Sequence, residues 1–290
     1  MVKKRILILN WWDIKSPKAG GSEVYLYNIF PKLAAKGYQI TILCARFRGS
    51  SSDDKAQGLN IIRKGPFWLI NVYSIFWYFK HQNEFDLVID CTNKVPYLTP
   101  LIIKKKPIIA VGHHIFGKIW LKEVGLLGHI FIWLERKLFQ VYRNTDFIVP
   151  SESTKNDLVS IGIKPEKIRA IYEGRPEIRT TFSKSKEPLI VCISRLRKYK
   201  RVDFLLHAIP NIITSHPNLK TVIIGRGPEL KNLLALRKKL NLEKRVKFLG
   251  YVSDQEKLRW LQKAWINVVP SIKEGWGLIV IEAATCGTPT

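Results

Sequence analysis

Two carboxylates, Glu274 and Glu282, stand eight residues apart in the segment SIKEGWGLIVIEAATCGTPT. An apolar strand, AWINVVP (264–270), leads into a turn that contains Gly275 and Gly277, and an apolar helix is predicted to follow. Free N–H groups at a helix start attract anions, whereas carboxylates accept hydrogen bonds from hydroxyl groups. A site with both kinds of group suits a nucleotide sugar. Spacing alone gives equal weight to an alternative, in which Glu274 is a solvated loop residue and Glu282 is a charge on the helix surface.

A second candidate group is the basic run SRLRKYKR (194–201), which follows a predicted strand. Five cations within seven residues, at the carboxyl end of a strand and before a helix, suit the binding of a diphosphate. We expect Arg195, at the strand end, and Lys200, before the helix, to point inward. The alternative is a solvated basic loop.

Two further pairs of candidates lie in the first half of the chain. Gly20 and Gly21 precede a predicted helix, and adjacent glycines let the backbone approach a bound anion closely. A plain tight turn would also explain them. His113 and His114 follow the strand PIIAVG, where an imidazole can donate a hydrogen bond to a sugar hydroxyl. We expect one of these two histidines only to pack.

The composition limits the partners. Lys and Arg outnumber Asp and Glu by 48 to 23, which gives a net charge of +25. The charge is spread along the chain and no nucleic-acid-binding signature is present, so phosphorylated substrates and anionic membranes are favoured over nucleic acid. The four cysteines form no C-x-x-C pair, which indicates reduced thiols and a cytoplasmic protein. We predict no metal site, since Asp53 and Asp54 lie in a predicted polar loop.

Two aromatic-rich stretches bear on membrane contact. The segment 66–79 is uncharged over 14 residues, which is short for a spanning helix and fits either a core helix or an interfacial one. The segment 115–143 interrupts its apolar rows with cations, a pattern that fits inward packing or contact with lipid headgroups. The inner face of the membrane is therefore a candidate location.

The elements that would position these residues follow a βαβα rhythm. Short runs rich in Ile and Val alternate with helical patterns, which predicts an α/β class with parallel sheets. The polar segment around 176–187 is predicted to link two Rossmann-like domains, 1–175 and 188–290. Ligands of such sheets bind beyond the carboxyl ends of the strands. Among the predicted helices are 123–143 and 152–161, the latter with a capping box that starts at Thr154.

With these motifs in order, the chain resembles the family 4 glycosyltransferases of the GT-B fold over its whole length. The resemblance rests on AGGSEVYLYNIFPKLAAKGYQITIL, the strand-end GHH, PSESTKNDLVSIGIKPEKI, SRLRKYKRVDFLLHAIP, VIIGRGPEL, VKFLGYVSDQEK and PSIKEGWGLIVIEAATCGTP. The last block matches the E-x7-E signature of the family. It implies two Rossmann-like domains whose parallel sheets face each other across a cleft, with the acceptor on the N-terminal side and the nucleotide sugar on the C-terminal side.

The resemblance also implies an activity: retaining transfer of a hexose from a nucleoside diphosphate sugar to a hydroxyl acceptor, lipid-linked or glycan-linked, without a metal or cofactor. The implied catalytic residues are His113, His114, Arg195, Lys200 and Glu274. The implied donor-binding residues are Gly20, Gly21, Arg195, Lys200, Val252, Glu274, Gly275, Gly277, Leu278, Ile279 and Glu282. Within this set Arg195 and Lys200 would hold the diphosphate. Glu274 would hold the sugar and Glu282 the ribose, while Val252 would meet the base through its backbone.

Two departures from the family pattern stand beside the resemblance. Many members carry Asn-Gly where this chain has Glu173-Gly174, so Glu173 receives no role. The family also continues beyond the position of Pro289-Thr290, so we expect an incomplete second domain.

A nucleotide-dependent dehydrogenase is disfavoured because the first loop lacks a third glycine. A basic α/β protein that binds membranes or polyanions without catalysis stays as the alternative.

Overall fold

The computed structural model describes residues 4–92, 95–174 and 183–290. Two compact units are formed, one from the described residues of Met1–Gly117 and His129–Glu173, the other from those of Lys118–Gly128 and Gly174–Thr290. Most of the linker predicted over 176–187 lies outside the described residues. Each unit contains a sheet with helices packed on it, so the predicted α/β class is confirmed.

The strands of the first unit are β1 (Arg5–Leu9), β2 (Gln39–Cys44), β3 (Asp53–Ala56), β4 (Leu59–Arg63), β5 (Leu87–Thr92), β6 (Ile108–Gly112), β7 (Asp146–Val149) and β8 (Ile168–Ala170). Within the described residues they form one sheet in the order β3-β4-β2-β1-β5-β6-β7-β8. All neighbouring pairs are parallel except β3 and β4, which form an antiparallel hairpin. The second unit contains β9 (Leu189–Ile193), β10 (Lys220–Ile224), β11 (Val246–Gly250) and β12 (Ile266–Asn267).

The helices of both units are α1 (Gly21–Ala35), α2 (Ile70–His81), α3 (Thr99–Ile102), α4 (Ile119–Val124), α5 (Gly128–Gln140), α6 (Glu152–Ser160), α7 (Val202–Ser215), α8 (Leu230–Lys239), α9 (Asp254–Lys263) and α10 (Leu278–Thr285). No helix within the described ranges combines the length and the apolar character that a membrane crossing requires. The four cysteines are buried free thiols, two in each unit.

The hairpin of β3 and β4 corrects the prediction of a polar loop around Asp53 and Asp54. Both residues lie in β3, a mostly polar edge strand that pairs with β4 within the described residues. Its sequence, Asp-Asp-Lys-Ala, has only one small apolar residue to reveal it. Polar edge strands of this kind limit pairing with other chains. Arg63 at the end of β4 is fully buried, which the sequence pattern also hid.

The two helix predictions need smaller corrections. The helix predicted over 123–143 is divided, because Gly125 adopts φ of +66° and ends α4 before α5 begins at Gly128. The cap of α6 is Ser151 rather than Thr154. The Ser151 hydroxyl accepts a hydrogen bond from the Thr154 backbone N–H at 3.1 Å.

The second unit is wound on both faces of a parallel sheet with the order β11-β10-β9-β12. Alternate residues of its strands point to opposite faces. One face packs against α7 and α8 and the other against α9 and α10. Because the strands are parallel, the loops that follow them all leave the sheet at the same edge, where the sequence placed its donor-binding candidates.

Candidate active site

Backbone hydrogen bonds join the loops at the carboxyl edge of the second sheet. The Leu196 N–H donates to the Arg226 carbonyl at 2.9 Å, which ties the basic loop to the loop after β10. The Ile272 N–H donates to the Tyr199 carbonyl at 2.9 Å, which ties the same basic loop to the segment before α10. The basic loop is therefore held between its two neighbours.

The glycines of the loop after β10 are required by this close packing. A Cβ at Gly225 would lie 1.8 Å from the Ser194 carbonyl oxygen, and one at Gly227 would lie 2.1 Å from the Leu196 carbonyl oxygen. Both contacts are with backbone atoms that cannot move aside. These glycines therefore let the loop after β10 approach the basic loop, a structural role that explains them without a ligand.

Lys200 and Glu274 meet at this edge. The Lys200 Nζ lies 2.5 Å from the Glu274 Oε1, and the two side chains are 13% and 29% exposed. The contact joins the end of the basic loop to the turn before α10, although the two residues are far apart in the sequence. It places a cation and a carboxylate acceptor at one point.

The other cations of the basic run behave differently. Arg197 Nη1 lies 3.2 Å from the Glu123 Oε2, and Arg201 donates to the Asp203 carboxylate at 3.1 Å. Both guanidinium groups therefore have carboxylate partners within the second unit. Arg195 is exposed just beyond β9, at the edge where a ligand of this sheet would lie.

Glu282 is held by a lysine that the sequence did not single out. The Lys257 Nζ on α9 lies 2.8 Å from the Glu282 Oε1 and 3.0 Å from the Asp254 Oδ1. Burial by itself would lower the pKa of Lys257, but the two carboxylates raise it above its ordinary value. Glu282 and Lys257 thus form a charged pair between α10 and α9. No spacing rule connects the two residues.

The start of α10 lies where the sequence predicted it. Gly277 adopts φ of +76°, and the helix begins at Leu278, so the N–H groups of Leu278 and Ile279 belong to its first turn. Gly275 precedes them in the turn and is half-buried. Val252 lies in the loop between β11 and α9, where its half-buried side chain packs on the core.

Gly20 and Gly21 lie at the start of α1 in the first unit. The Gly20 N–H donates to the Glu23 Oε2 at 2.7 Å, and the Asn10 side-chain amide donates to the Glu23 Oε1 at 2.9 Å. Burial raises the pKa of Glu23, and these hydrogen bonds oppose the shift. The Gly20 N–H thus donates its hydrogen bond to a carboxylate of its own chain. Gly21, the first residue of α1, is exposed.

The loop before α1 is anchored by a buried ion pair. Arg63 Nε lies 2.7 Å from the Asp13 Oδ2 and Arg63 Nη2 lies 3.0 Å from the Asp13 Oδ1. The side chains are 1% and 0% exposed. The hydrogen bonds that Arg63 donates to Asp13 raise the pKa of Arg63, so the arginine stays charged. Sequence reasoning missed this pair, because residues 59–63 are not among the strands that the apolar runs predict.

His113 is enclosed by its neighbours in the first unit. Its ring packs edge-on against Tyr25 with centroids 5.1 Å apart, and its Nδ1 lies 4.0 Å from the Glu173 Oε1. Among the described residues its Nε2 has no hydrogen-bond partner. Burial lowers the pKa of His113 to about 4, so the ring is neutral at pH 7. Burial also raises the pKa of Glu173 to about 7.

Glu173, to which the sequence assigned no role, has a side chain that is only 8% exposed beside His113. His114 is half-buried and packs against the ring of Phe116 with centroids 4.8 Å apart. In the part of the chain that the structure describes, no group of three or more His, Cys, Asp or Glu side chains could hold a metal ion.

Two family models match the chain. The model described as Glycosyltransferase Family 4 matches residues 19–176, and the model described as Glycosyl transferases group 1 matches residues 175–290. An uncharacterized glycosyltransferase of Methanocaldococcus jannaschii is 32% identical over 96% of this chain and 77% of its own length. One subunit of the phosphatidylinositol N-acetylglucosaminyltransferase of Arabidopsis thaliana is 24% identical over 99% of this chain and 67% of its own length.

A similar fold is found among solved structures. The Anabaena protein HepE, solved in complex with UDP-glucose, superposes with a TM-score of 0.72 at 18% identity, covering 98% of this chain and 79% of its own. At this identity the comparison concerns the fold alone, an α/β fold with two units built on parallel sheets.

Proposed function

Because the chain belongs to glycosyltransferase family 4 and has the GT-B fold, we propose that it transfers a hexose from a nucleoside diphosphate sugar to a hydroxyl acceptor. The observation that carries the proposal is the contact of Lys200 with Glu274 beside the start of α10. It combines a cation, a carboxylate and free helix N–H groups at the edge where ligands of parallel sheets bind.

The departing diphosphate gains negative charge as the anomeric bond breaks, while the sugar ring gains positive character. In this proposal Arg195, Lys200 and the first turn of α10 stabilise the diphosphate through charges fixed before the reaction. Two cations and a helix N-terminus supply this stabilisation without a metal ion. The transfer is proposed to retain the anomeric configuration of the sugar.

Glu274 and Glu282 have complementary roles in the proposal. On donor binding, Glu274 exchanges part of its contact with Lys200 for hydrogen bonds from the sugar hydroxyls, which releases Lys200 toward the diphosphate. Glu282, held by Lys257, accepts hydrogen bonds from the ribose. Backbone groups at Val252 meet the base, and the first turn of α10, with Gly275 and Gly277 before it, approaches the phosphates.

The first unit supplies the acceptor side in this proposal. His113 is neutral at pH 7, so it can donate a hydrogen bond through one nitrogen and accept through the other near the reacting sugar. Gly21 and the start of α1 add N–H groups for an anion. The Gly20 N–H already donates a hydrogen bond to Glu23. Gly20 therefore lets the backbone approach the anion closely but does not donate a hydrogen bond to it.

The acceptor is proposed to be a lipid-linked or glycan-linked hydroxyl. The similarity to one subunit of a phosphatidylinositol N-acetylglucosaminyltransferase supports a lipid acceptor. A net charge of +25 favours contact with the anionic inner face of a membrane by a cytoplasmic enzyme.

A thermal-shift screen of nucleoside diphosphates and their sugars tests the donor site, because a ligand that binds the folded state raises the melting temperature. We expect one base to stabilise the protein most, and Lys200→Ala to remove most of that shift. Lys198→Ala is the matched control, since Lys198 is exposed in the same run. A shift that survives Lys200→Ala, or the absence of any shift in the unaltered protein, would contradict the proposed site.

A further inference from the structure

The outward side of α2 and of the turn before it is apolar. Trp68 is 76% exposed, Phe76 is 72% exposed and Phe79 is 51% exposed. The opposite side of the helix packs on the sheet through Ile70 and Tyr78, so the helix has a satisfied inner face and an unsatisfied outer one. Large aromatic rings are costly to leave in water, which indicates that the outer face has an apolar partner.

The outward side of α5 has the same character. Ile130 and Trp133 are each 60% exposed, while Phe139 on the inner side is buried. The one carboxylate of this helix, Glu135, is turned inward, where it accepts hydrogen bonds from the Phe116 N–H at 2.9 Å and the adjacent Gly117 N–H. The outer face of α5 therefore presents apolar side chains and cations, without an exposed acid.

The two helices lie on the same face of the first sheet. Val88 of β5 is paired with Ile108 of β6, and Ala110, two residues further along β6, points to the same side as Ile108. Tyr78 of α2 belongs to the core around Val88, and Phe139 of α5 belongs to the core around Ala110. The outer sides of α2 and α5 consequently face away from the sheet in the same direction.

Charge identifies the partner of this surface. The sequence of α2 has no acidic residue, and that of α5 has only the inward-facing Glu135. Exposed cations lie at the end of α2, within α5 and after α5: Lys80, Arg136, Lys137 and Arg143. Tryptophan and phenylalanine between cations are typical of the boundary between lipid headgroups and acyl chains. A second copy of the chain would bring the same cations together across a twofold axis, which repulsion opposes.

We propose that the outer sides of α2 and α5, here called the α2–α5 face, dock the first unit on an anionic membrane surface. Phe76 and Trp133 enter the headgroup boundary while Arg136 and Lys137 contact anionic headgroups. The inference rests on the membrane partner proposed above and deepens it by naming the surface. It does not depend on which nucleotide sugar the second unit binds.

Co-sedimentation with vesicles tests the face. We expect the unaltered protein to bind phosphatidylcholine vesicles that contain phosphatidylglycerol, and to bind them less at high salt. Phe76→Ser combined with Trp133→Ser should weaken binding by about tenfold or more, because two aromatic surfaces that the membrane would bury are lost. Arg136→Glu with Lys137→Glu should weaken binding at low salt. Tyr38→Ser is the matched control, an exposed aromatic residue outside both helices.

Three outcomes would overturn the proposal. They are no binding of the unaltered protein to anionic vesicles at low salt, equal binding of the Phe76→Ser, Trp133→Ser variant, and self-association of the unaltered protein that this variant abolishes. Melting curves of each variant, with and without the stabilising nucleoside diphosphate, separate the two proposals. If the unaltered protein binds vesicles but shows no shift with a nucleoside diphosphate, the donor site alone is contradicted. If it shows the shift but does not bind vesicles, the α2–α5 face alone is contradicted.

Discussion

The amine of Lys200 lies 2.5 Å from a carboxylate oxygen of Glu274. The cation proposed to hold the diphosphate is therefore neutralised by the carboxylate proposed to hold the sugar. A donor that brings both a diphosphate and hydroxyl groups replaces this contact on both sides, whereas a nucleoside diphosphate alone replaces only one side and leaves the carboxylate without its partner.

This relationship predicts a difference between two ligands. In Glu274→Gln, Lys200 no longer has a carboxylate partner, so the affinity for the nucleoside diphosphate should hold or rise, while the added affinity for its sugar form should fall by about tenfold. Isothermal titration calorimetry with both ligands measures the two effects. Lys200→Ala is the comparison, and it should weaken both ligands and lower turnover by about tenfold or more. A weaker diphosphate complex in Glu274→Gln would contradict this arrangement.

Metal removal provides a second prediction. If Arg195, Lys200 and the start of α10 stabilise the departing diphosphate, EDTA should leave the initial rate of transfer unchanged. Arg195→Ala should lower that rate by about tenfold or more under the same conditions. Loss of activity in EDTA that returns on addition of Mg²⁺ or Mn²⁺ would show that a metal shares the task.

The pair of Lys257 and Glu282 leads to a third prediction. Lys257 lies 2.8 Å from Glu282 and does not belong to the proposed contacts with the donor. Lys257→Ala should loosen the Glu282 carboxylate, which is proposed to accept hydrogen bonds from the ribose. Donor binding should weaken several-fold, with a smaller effect on the rate at saturating donor. Glu282→Ala should weaken donor binding more strongly.

Lys263→Ala is the control for this series, since Lys263 is exposed at the end of the same helix. Donor affinity can be followed by titration at fixed protein concentration. Donor affinity that is unchanged in Glu282→Ala would remove the ribose assignment, whatever Lys257→Ala does.

The sequence patterns predicted the parts of this molecule that depend on continuous apolar runs. Strands such as Leu189–Ile193 are buried on both faces, so their sequences are apolar throughout and mark a parallel sheet. The start of α10 was predictable because Gly277 supplies a positive φ directly before an apolar run.

Contacts between distant residues were not predictable in the same way. Arg63 and Asp13 are 50 positions apart, and Lys257 and Glu282 are 25 apart. Neither pair follows a helical or strand period, so only the folded chain brings them together. The contact of Glu173 with His113 is of the same kind. The identity of such pairs depends on tertiary packing.

The buried pair of Arg63 and Asp13 supports a prediction about stability. Arg63→Met leaves the Asp13 carboxylate buried without its guanidinium, which should lower the free energy of unfolding by about 3–5 kcal/mol. Asp13→Leu added to Arg63→Met removes the uncompensated charge and should recover much of the loss. Urea denaturation measures both, and Arg48→Met, at an exposed position, is the control. Equal stability of Arg63→Met and the unaltered protein would mean that Asp13 finds another partner.

Glu173 and His113 lead to opposite dependences of stability on pH. The pKa of Glu173 is raised from 4.5 to about 7 in the folded protein, so the folded state keeps a proton that the unfolded state loses as pH rises through this range. Its contribution to stability is complete below pH 4.5 and is lost as pH rises to about 7. The pKa of His113 is lowered from 6.5 to about 4, so its contribution is complete above pH 6.5 and is lost as pH falls to about 4.

Glu173→Gln isolates the first of these effects, because the amide keeps the shape of the protonated acid and does not titrate. The stability of the variant relative to the unaltered protein should rise between pH 4.5 and 7 by up to about 3 kcal/mol, at about 1.4 kcal/mol for each pH unit. Urea denaturation at several pH values measures the difference, in which the titration of groups distant from Glu173 cancels. A constant difference across this range would show that the Glu173 carboxyl group ionises in the folded protein as it does in the unfolded chain, and that burial does not hold its proton.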